Sequence, residues 1–240
     1  MTTSTWNGFQ KLELEFKGRK AILVFPHEEN KTSNWLLKTE YFGAFPNLEI
    51  EMLKRGWHLA YISNITRWCL DEDLDFKKEF SEFLNKEYGL NKKCVPVGMS
   101  CGGMIAVKFA AKYPEYVSCL YLDAPVMNLL SCPCGIGDAT ADLYQEFVAA
   151  TGKNRSDLIN YREHPVDKIP ALLEHKLPVV LVYGDSDSVV PYHENGIVLE
   201  NYYKENGGTI LAIGKEGCGH HPHGLEDPTP IIKFIEEHLE

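Results

Sequence analysis

One stretch constrains this chain more than any other: Cys94-Val-Pro-Val-Gly98-Met99-Ser100-Cys101-Gly102-Gly103-Met104-Ile105-Ala106. A short apolar run leads into Gly-x-Ser-x-Gly, and an Ala/Val/Ile-rich segment follows. The pattern predicts a buried strand that turns sharply into a helix, with the serine at the bend. A side chain two positions before or after that serine would strike the neighbouring strand or helix, so Gly98 and Gly102 suit the turn. The bend lifts the Ser100 hydroxyl above the sheet. It also sets the Cys101 N–H at a helix N-terminus, where partial positive charge favours a developing oxyanion.

The rest of the chain alternates short apolar runs with longer amphipathic ones. Strands are expected over 11–16, 21–25, 58–62, 94–97, 117–122, 179–183 and 209–213. Helices are expected over 48–55, 71–88, 103–112, 195–204 and 229–239, with Gly56, Gly89 and Pro114 at their ends. Such alternation implies βαβ units and a mostly parallel twisted sheet with helices on both faces. Residues 123–177 break the rhythm, with helical pieces near 141–150 and 171–176. We read one α/β domain over 1–240 with a small lid insertion at about 124–177.

Composition narrows the class. With 44% hydrophobic and 24% charged residues the chain is neither disordered nor a coiled coil. At 240 residues it buries roughly 70% of its unfolded surface, enough for an unstapled core. The 24 basic and 34 acidic residues give a net charge of −10, which argues against nucleic acid or an anionic membrane as partner. No apolar run reaches the ~18–20 residues of a membrane span, and no secretory signal is visible. The seven cysteines are an odd count that no fully paired disulfide framework fits, so a cytoplasmic setting is expected. Cys132 and Cys134 lie far from Cys218, His220, His221 and His223, and their C-x-C spacing lacks a zinc pattern. No metal and no cofactor are expected.

A serine hydroxyl needs a base, and the base needs an orienting acid. Two strand ends downstream offer them. The first leads into Gly184-Asp185-Ser186-Asp187-Ser188-Val189-Val190-Pro191, the second into Gly217-Cys218-Gly219-His220-His221-Pro222-His223-Gly224-Leu225. Asp123, at the end of the 117–122 strand, is a further acid candidate. The order Ser…Asp…His differs from the chymotrypsin and subtilisin orders.

From about residue 21 onward, these motifs resemble an α/β-hydrolase serine esterase, in the branch that holds prolyl-oligopeptidase-like and carbohydrate-esterase-like hydrolases. That resemblance implies the α/β-hydrolase fold. It selects Asp187 through Gly-x-x-Asp-x-x-Val-Pro, leaving Asp185 to cap the turn. It selects His220 through Gly-x-Gly-His, ahead of His221 and His223. The catalytic residues implied are Ser100, Asp187 and His220. The oxyanion hole is expected to combine the Cys101 N–H with His27 or Glu28 N–H after the 21–25 strand, or with a donor farther along the loop to Phe45, since the glycine many relatives carry after that strand is missing. The pocket is expected to use Trp35, Lys38, Trp68 and Met127, with Tyr41, Phe42 and Phe45 on the same loop as Trp35.

The activity implied is hydrolysis of a carboxylic ester through an acyl-enzyme. The favoured substrate is a short acyl (acetyl-type) ester of a polar alcohol such as a sugar. A prolyl-oligopeptidase-like peptidase and a non-catalytic small-molecule binding protein on the same fold are the alternatives. The expected partner is a small-molecule ester, bound by a monomer or a homodimer.

Overall fold

The computed structural model describes residues 1–239. Among them nine strands form one sheet. In chain order they are β1 (Thr2–Trp6), β2 (Phe9–Phe16), β3 (Arg19–Phe25), β4 (Trp35–Lys38), β5 (His58–Ile62), β6 (Val95–Met99), β7 (Leu120–Asp123), β8 (Val179–Gly184) and β9 (Ile210–Lys215). Their spatial order is β1-β2-β3-β5-β4-β6-β7-β8-β9. The first three strands and β5 pair antiparallel in succession, and every pair from β5 to β9 is parallel. The helices are α1 (Asn47–Lys54), α2 (Asp71–Tyr88), α3 (Cys101–Lys112), α4 (Tyr144–Thr151), α5 (Arg155–Ile159), α6 (Ile169–Glu174), α7 (Gly196–Glu205) and α8 (Thr229–Glu236). No helix among the described residues is long and apolar enough to cross a membrane.

The period of two along each strand builds two cores. In β8, Val179 and Leu181 face one side while Val180 and Val182 face the other. All four are fully buried, which explains a continuous apolar run where a one-sided strand would alternate. α1 and α8 cover the second face through Leu48, Met52, Ile231, Ile232 and Ile235. Each buried aliphatic side chain there contributes about 1.5–3 kcal/mol. α2, α3, α6 and α7 pack on the first face.

Two strands escape the sequence reading. β1 is an exposed edge strand with little apolar signal. β4 matters more. Its four residues are all buried, and it lies between β5 and β6. Lys38 ends its apolar run and disguises it as a loop. That lysine is 1% exposed and pairs with Glu49 of α1 at 2.5 Å.

The segment between β7 and β8 is not wholly a lid. α6 packs against α3 and α7, so it is the crossover helix that a parallel β7–β8 pair requires. The part before it is tied to the body at its root. The Asn195 side chain accepts from the N–H groups of Met127 and Asn128, both at 2.9 Å. Farther out, Glu146 of α4 pairs with Arg67 and accepts the Trp68 indole N–H at 2.9 Å.

Candidate active site

Strands β4 to β9 run parallel, so their C-terminal ends share one edge of the sheet. Ser100 follows β6, Asp187 follows β8 and His220 follows β9. Open parallel sheets place ligand sites at this edge.

Ser100 sits between β6 and α3 with φ +53° and ψ −120°. Backbone bonds hold this unusual conformation: its N–H donates to Asp123 O at 2.9 Å, and its carbonyl accepts from Val126 N at 3.0 Å and Gly103 N at 2.9 Å. The glycines around it are close approaches. A Cβ at Gly98 would lie 2.5 Å from Gly102 O, and one at Gly103 would collide with Pro125. Gly102 has slightly more room, with Thr39 Oγ1 at 3.2 Å from its would-be Cβ. Gly103 is thus a hard requirement that the Gly-x-Ser-x-Gly pattern does not flag.

Ser100 Oγ lies 3.1 Å from His220 Nε2, and His220 Nδ1 lies 2.7 Å from Asp187 Oδ2. Both partners are buried at the side chain, the imidazole 7% and the carboxylate 1% exposed. Asp187 Oδ1 accepts the N–H groups of Val189 and Val190, each at 2.9 Å. With three donors the carboxylate is fixed, and an Nδ1–H pointing at it leaves Nε2 free to accept from the serine hydroxyl. Asp185 does something else: its Oδ1 accepts Gly217 N–H at 2.8 Å and Ser186 Oγ–H at 3.0 Å, capping the two adjoining loops.

The other acid and imidazole candidates are also engaged. Asp123 Oδ1 lies 2.7 Å from His223 Nδ1, and its Oδ2 accepts Gly224 N–H at 2.6 Å and Tyr121 Oη–H at 3.3 Å. Asp123 therefore faces His223 and not His220. His221 is exposed and stacks on Phe45, with ring centroids 5.4 Å apart and planes 16° apart. Burial, then the His223 and His220 rings, hold His221 below the ordinary histidine range.

Of the candidates expected for a second oxyanion donor, His27 and Glu28 lie away from Ser100, and the loop toward Phe45 lies at its edge. β3 runs antiparallel to β5, with Val24 opposite Leu59, so residues after Phe25 emerge at the edge opposite Ser100. His27 packs on Phe9 with centroids 4.8 Å apart, and Glu28 lies in the same distant turn. Neither reaches the serine. The strand that precedes the serine edge is β4, and the loop after it reaches α3. Thr39 Oγ–H donates to Gly102 O at 2.7 Å, and the Tyr41 hydroxyl lies against Arg67 and the Cys101 thiol. Cys101 is the first residue of α3, so its N–H belongs to the four that a helix start leaves without intrahelical partners.

The four expected pocket residues are core residues. Trp35 opens β4 at the far edge, where its indole N–H donates to Asn91 O at 2.8 Å. Lys38 is buried against Glu49. Trp68 is 2% exposed and meets Phe147 edge-on at 5.4 Å, under the lid. Met127 is fully buried at the lid root. Charge and aromaticity suggested contacts to ligand, but each group finds its partner inside the protein. Phe45, from the same loop, is the aromatic that lies beside the histidines.

Cys132 and Cys134 do not join the histidines. Among the described residues, the groups spaced to hold a metal ion are His220, His221 and His223 in one cluster and Asp138, His193 and Glu194 in another.

A sequence profile of the prolyl oligopeptidase family matches residues 51–240. The fold is similar to that of an acylaminoacyl peptidase solved in complex with Z-Gly-Gly-Phe-chloromethyl ketone. Identity is 17%, over 96% of this chain and 42% of that one, with a TM-score of 0.75. Pyrococcus horikoshii acylaminoacyl peptidase gives 16% identity over 98% of this chain and 44% of that one, with a TM-score of 0.73. An α/β hydrolase enzyme from the metagenome of Mar Chica lagoon sediments, Morocco, gives 17% identity over 99% of each chain, with a TM-score of 0.60. The chain spans less than half the length of the two peptidases. No curated protein sequence matches it.

Proposed function

The chain belongs to the prolyl oligopeptidase family of serine hydrolases with the α/β-hydrolase fold, and from that premise we propose that it hydrolyses short acyl esters of a polar alcohol such as a sugar. The observation that carries this reading is the unbroken line from Ser100 Oγ through His220 to Asp187, with contacts of 3.1 and 2.7 Å. Ser100 Oγ attacks the acyl carbon while His220 Nε2 takes its proton. Asp187 holds the imidazole tautomer and stabilises the cation that forms. His220 then gives the proton to the leaving alcohol, and water, activated by the same nitrogen, frees the acyl-enzyme. The Cys101 N–H and a donor from the 39–45 loop stabilise the oxyanion.

Two features favour a sugar ester. The Phe45–His221 stack presents a flat face beside His220, suited to a pyranose ring. The net charge of −10 suits a neutral substrate better than an anionic one.

The acylaminoacyl peptidase neighbours favour a second reading, release of acylated amino acids from peptides. A hydrolysis panel separates the two. It comprises acetylated sugars, feruloyl esters, p-nitrophenyl esters of increasing length, prolyl amides and acyl-amino-acid amides. We expect kcat/KM on acetyl esters to exceed that on any amide by at least about 100-fold, or about 2.7 kcal/mol. Turnover of the amides with none of the acetyl sugars would replace the first reading by the second. A fluorophosphonate that fails to add mass to the protein would remove both and leave a binding protein.

A further inference from the structure

Three imidazoles crowd the loop that supplies His220. One ring nitrogen each of His220, His221 and His223 lies within 4.8 Å of the other two. The ring centroids are 4.8 to 4.9 Å apart. The hydrolytic line uses only the first. His223 is nonetheless buried and braced as carefully as His220, with a buried carboxylate 2.7 Å behind its Nδ1. Asp123 is itself fixed by the Gly224 N–H.

A carboxylate behind one ring nitrogen sets the tautomer, orients the ring and makes the other nitrogen a better electron-pair donor. Metal-binding histidines have this outer arrangement. Here two of three histidines have it, Asp187 behind His220 and Asp123 behind His223. We propose that His220, His221 and His223 form an inhibitory site for a divalent transition cation, of which Zn²⁺ is the type. Neutral imidazoles suit zinc, copper and nickel over magnesium or calcium. Tetrahedral zinc with Zn–N bonds of 2.0–2.1 Å sets its ligand nitrogens about 3.3 Å apart. The rings must therefore draw together, and His221, the exposed member with no carboxylate behind its ring, turns inward by leaving its stack on Phe45.

The consequence for turnover rests on the hydrolase reading above. A metal on His220 Nε2 takes the lone pair that would accept the Ser100 proton. The Ser100 hydroxyl, 3.1 Å from that nitrogen, or a water then fills the fourth position. No electron transfer is involved, and removing the ion returns the free base.

The test begins with Ser100→Ala protein, dialysed against chelator and titrated with ZnCl₂ in a calorimeter. We expect one ion per chain with a Kd on the order of 10 μM or tighter. His221→Ala and His223→Gln should each weaken binding at least about tenfold, and Asp123→Asn about 10–100-fold. His193→Ala, in the exposed Asp138–His193–Glu194 cluster, should leave it unchanged. In protein with Ser100 intact, the same zinc range should abolish p-nitrophenyl acetate turnover, and EDTA should restore it. Each variant is compared with its own metal-free rate. Absence of saturable binding below about 100 μM would overturn the proposal. So would binding that survives both histidine substitutions, or saturation that leaves turnover intact. The calorimetric arms do not require Ser100 to be a nucleophile, so a failure of the hydrolase reading shows separately, as metal-free protein without turnover.

Discussion

Asp123 and His223 meet at 2.7 Å, the same separation that joins Asp187 to His220. Two buried carboxylate–imidazole pairs thus stand side by side, and only one imidazole reaches Ser100. This asymmetry predicts unequal effects of the same substitution. Asp187→Asn presents an amide to His220 and favours the wrong tautomer, so kcat on p-nitrophenyl acetate should fall about 10⁴-fold. Asp123→Asn disturbs the bonds to His223, the Gly224 N–H and the Tyr121 hydroxyl, none of which reaches Ser100 Oγ. Its cost should be about 1.5–3 kcal/mol of stability, with kcat within about tenfold. Steady-state kinetics and urea melts on both variants check the contrast. Equal losses of kcat would show that the two pairs act as one unit.

Ser100 holds a positive φ because Asp123 O, Val126 N and Gly103 N bind its backbone. Its hydroxyl adds nothing to those bonds. Ser100→Ala should therefore keep the circular dichroism spectrum and the melting temperature while lowering kcat by about 10⁴–10⁶. A variant that retains turnover would dismiss the serine as nucleophile.

Gly184 is where the acid turn and the histidine loop touch. A Cβ there would run into the carbonyls of Cys218 and Gly219, and the Ser186 N–H donates to that same Cys218 carbonyl at 3.0 Å. Gly184→Ala must push the loop carrying His220 away from Asp187. A displacement near 1 Å costs about 100-fold in rate, so kcat should drop by at least that factor. Nuclear magnetic resonance of the His220 ring protons would report the altered pair. An alanine variant with full activity would mean that the loop yields without moving the ring.

Much of this was legible in the residues, for reasons that differ from place to place. The 58–62 strand and the 71–88 helix were visible because periodicity, a glycine stop and burial all agree there. The turn at Ser100 was visible because a strained bend leaves glycines behind. The β4 strand was hidden because Lys38 carries a charge whose partner, Glu49, comes from a helix eleven positions on. Without that strand, His27 and Glu28 stand as donor candidates beside the rest of the loop to Phe45, and the antiparallel course of β3 puts them at the edge opposite Ser100. The partner of Asp123 was hidden for a related reason: three histidines within four positions differ in direction, and only the fold sets direction.

Lys38 carries a prediction of its own, because it was a plausible ligand contact and is a buried ion pair. Its Nζ contacts Glu49 Oε1 at 2.5 Å and Ala44 O at 3.3 Å, and both charged side chains are at most 2% exposed. Lys38→Met strands a carboxylate in the core, which costs about 3–5 kcal/mol. The double variant Lys38→Met/Glu49→Leu should recover most of that loss. KM for p-nitrophenyl acetate should stay within about twofold in the folded protein. A stable single variant with a tenfold higher KM would restore Lys38 to the substrate pocket.

Stability should also depend on acidity through His58, at the start of β5 and remote from Ser100. Burial pushes its imidazole from the ordinary 6.5 down to about 4, so the ring is neutral in the folded protein. The unfolded chain takes up the proton near pH 6.5 and the folded chain only near pH 4. Between those values the unfolded state binds more protons, so stability rises with pH. The contribution is fully present above about pH 6.5 and is lost as pH falls toward 4. At 1.36 kcal/mol for each pH unit, the loss over that window is about 3 kcal/mol. His58→Leu removes the titrating ring and keeps an apolar group beside Phe25. Urea melts of both proteins from pH 4 to 8 give a difference curve in which the other groups cancel. That curve should be flat above pH 7 and slope through the acid window; a flat line throughout would mean that His58 takes its proton equally well folded and unfolded.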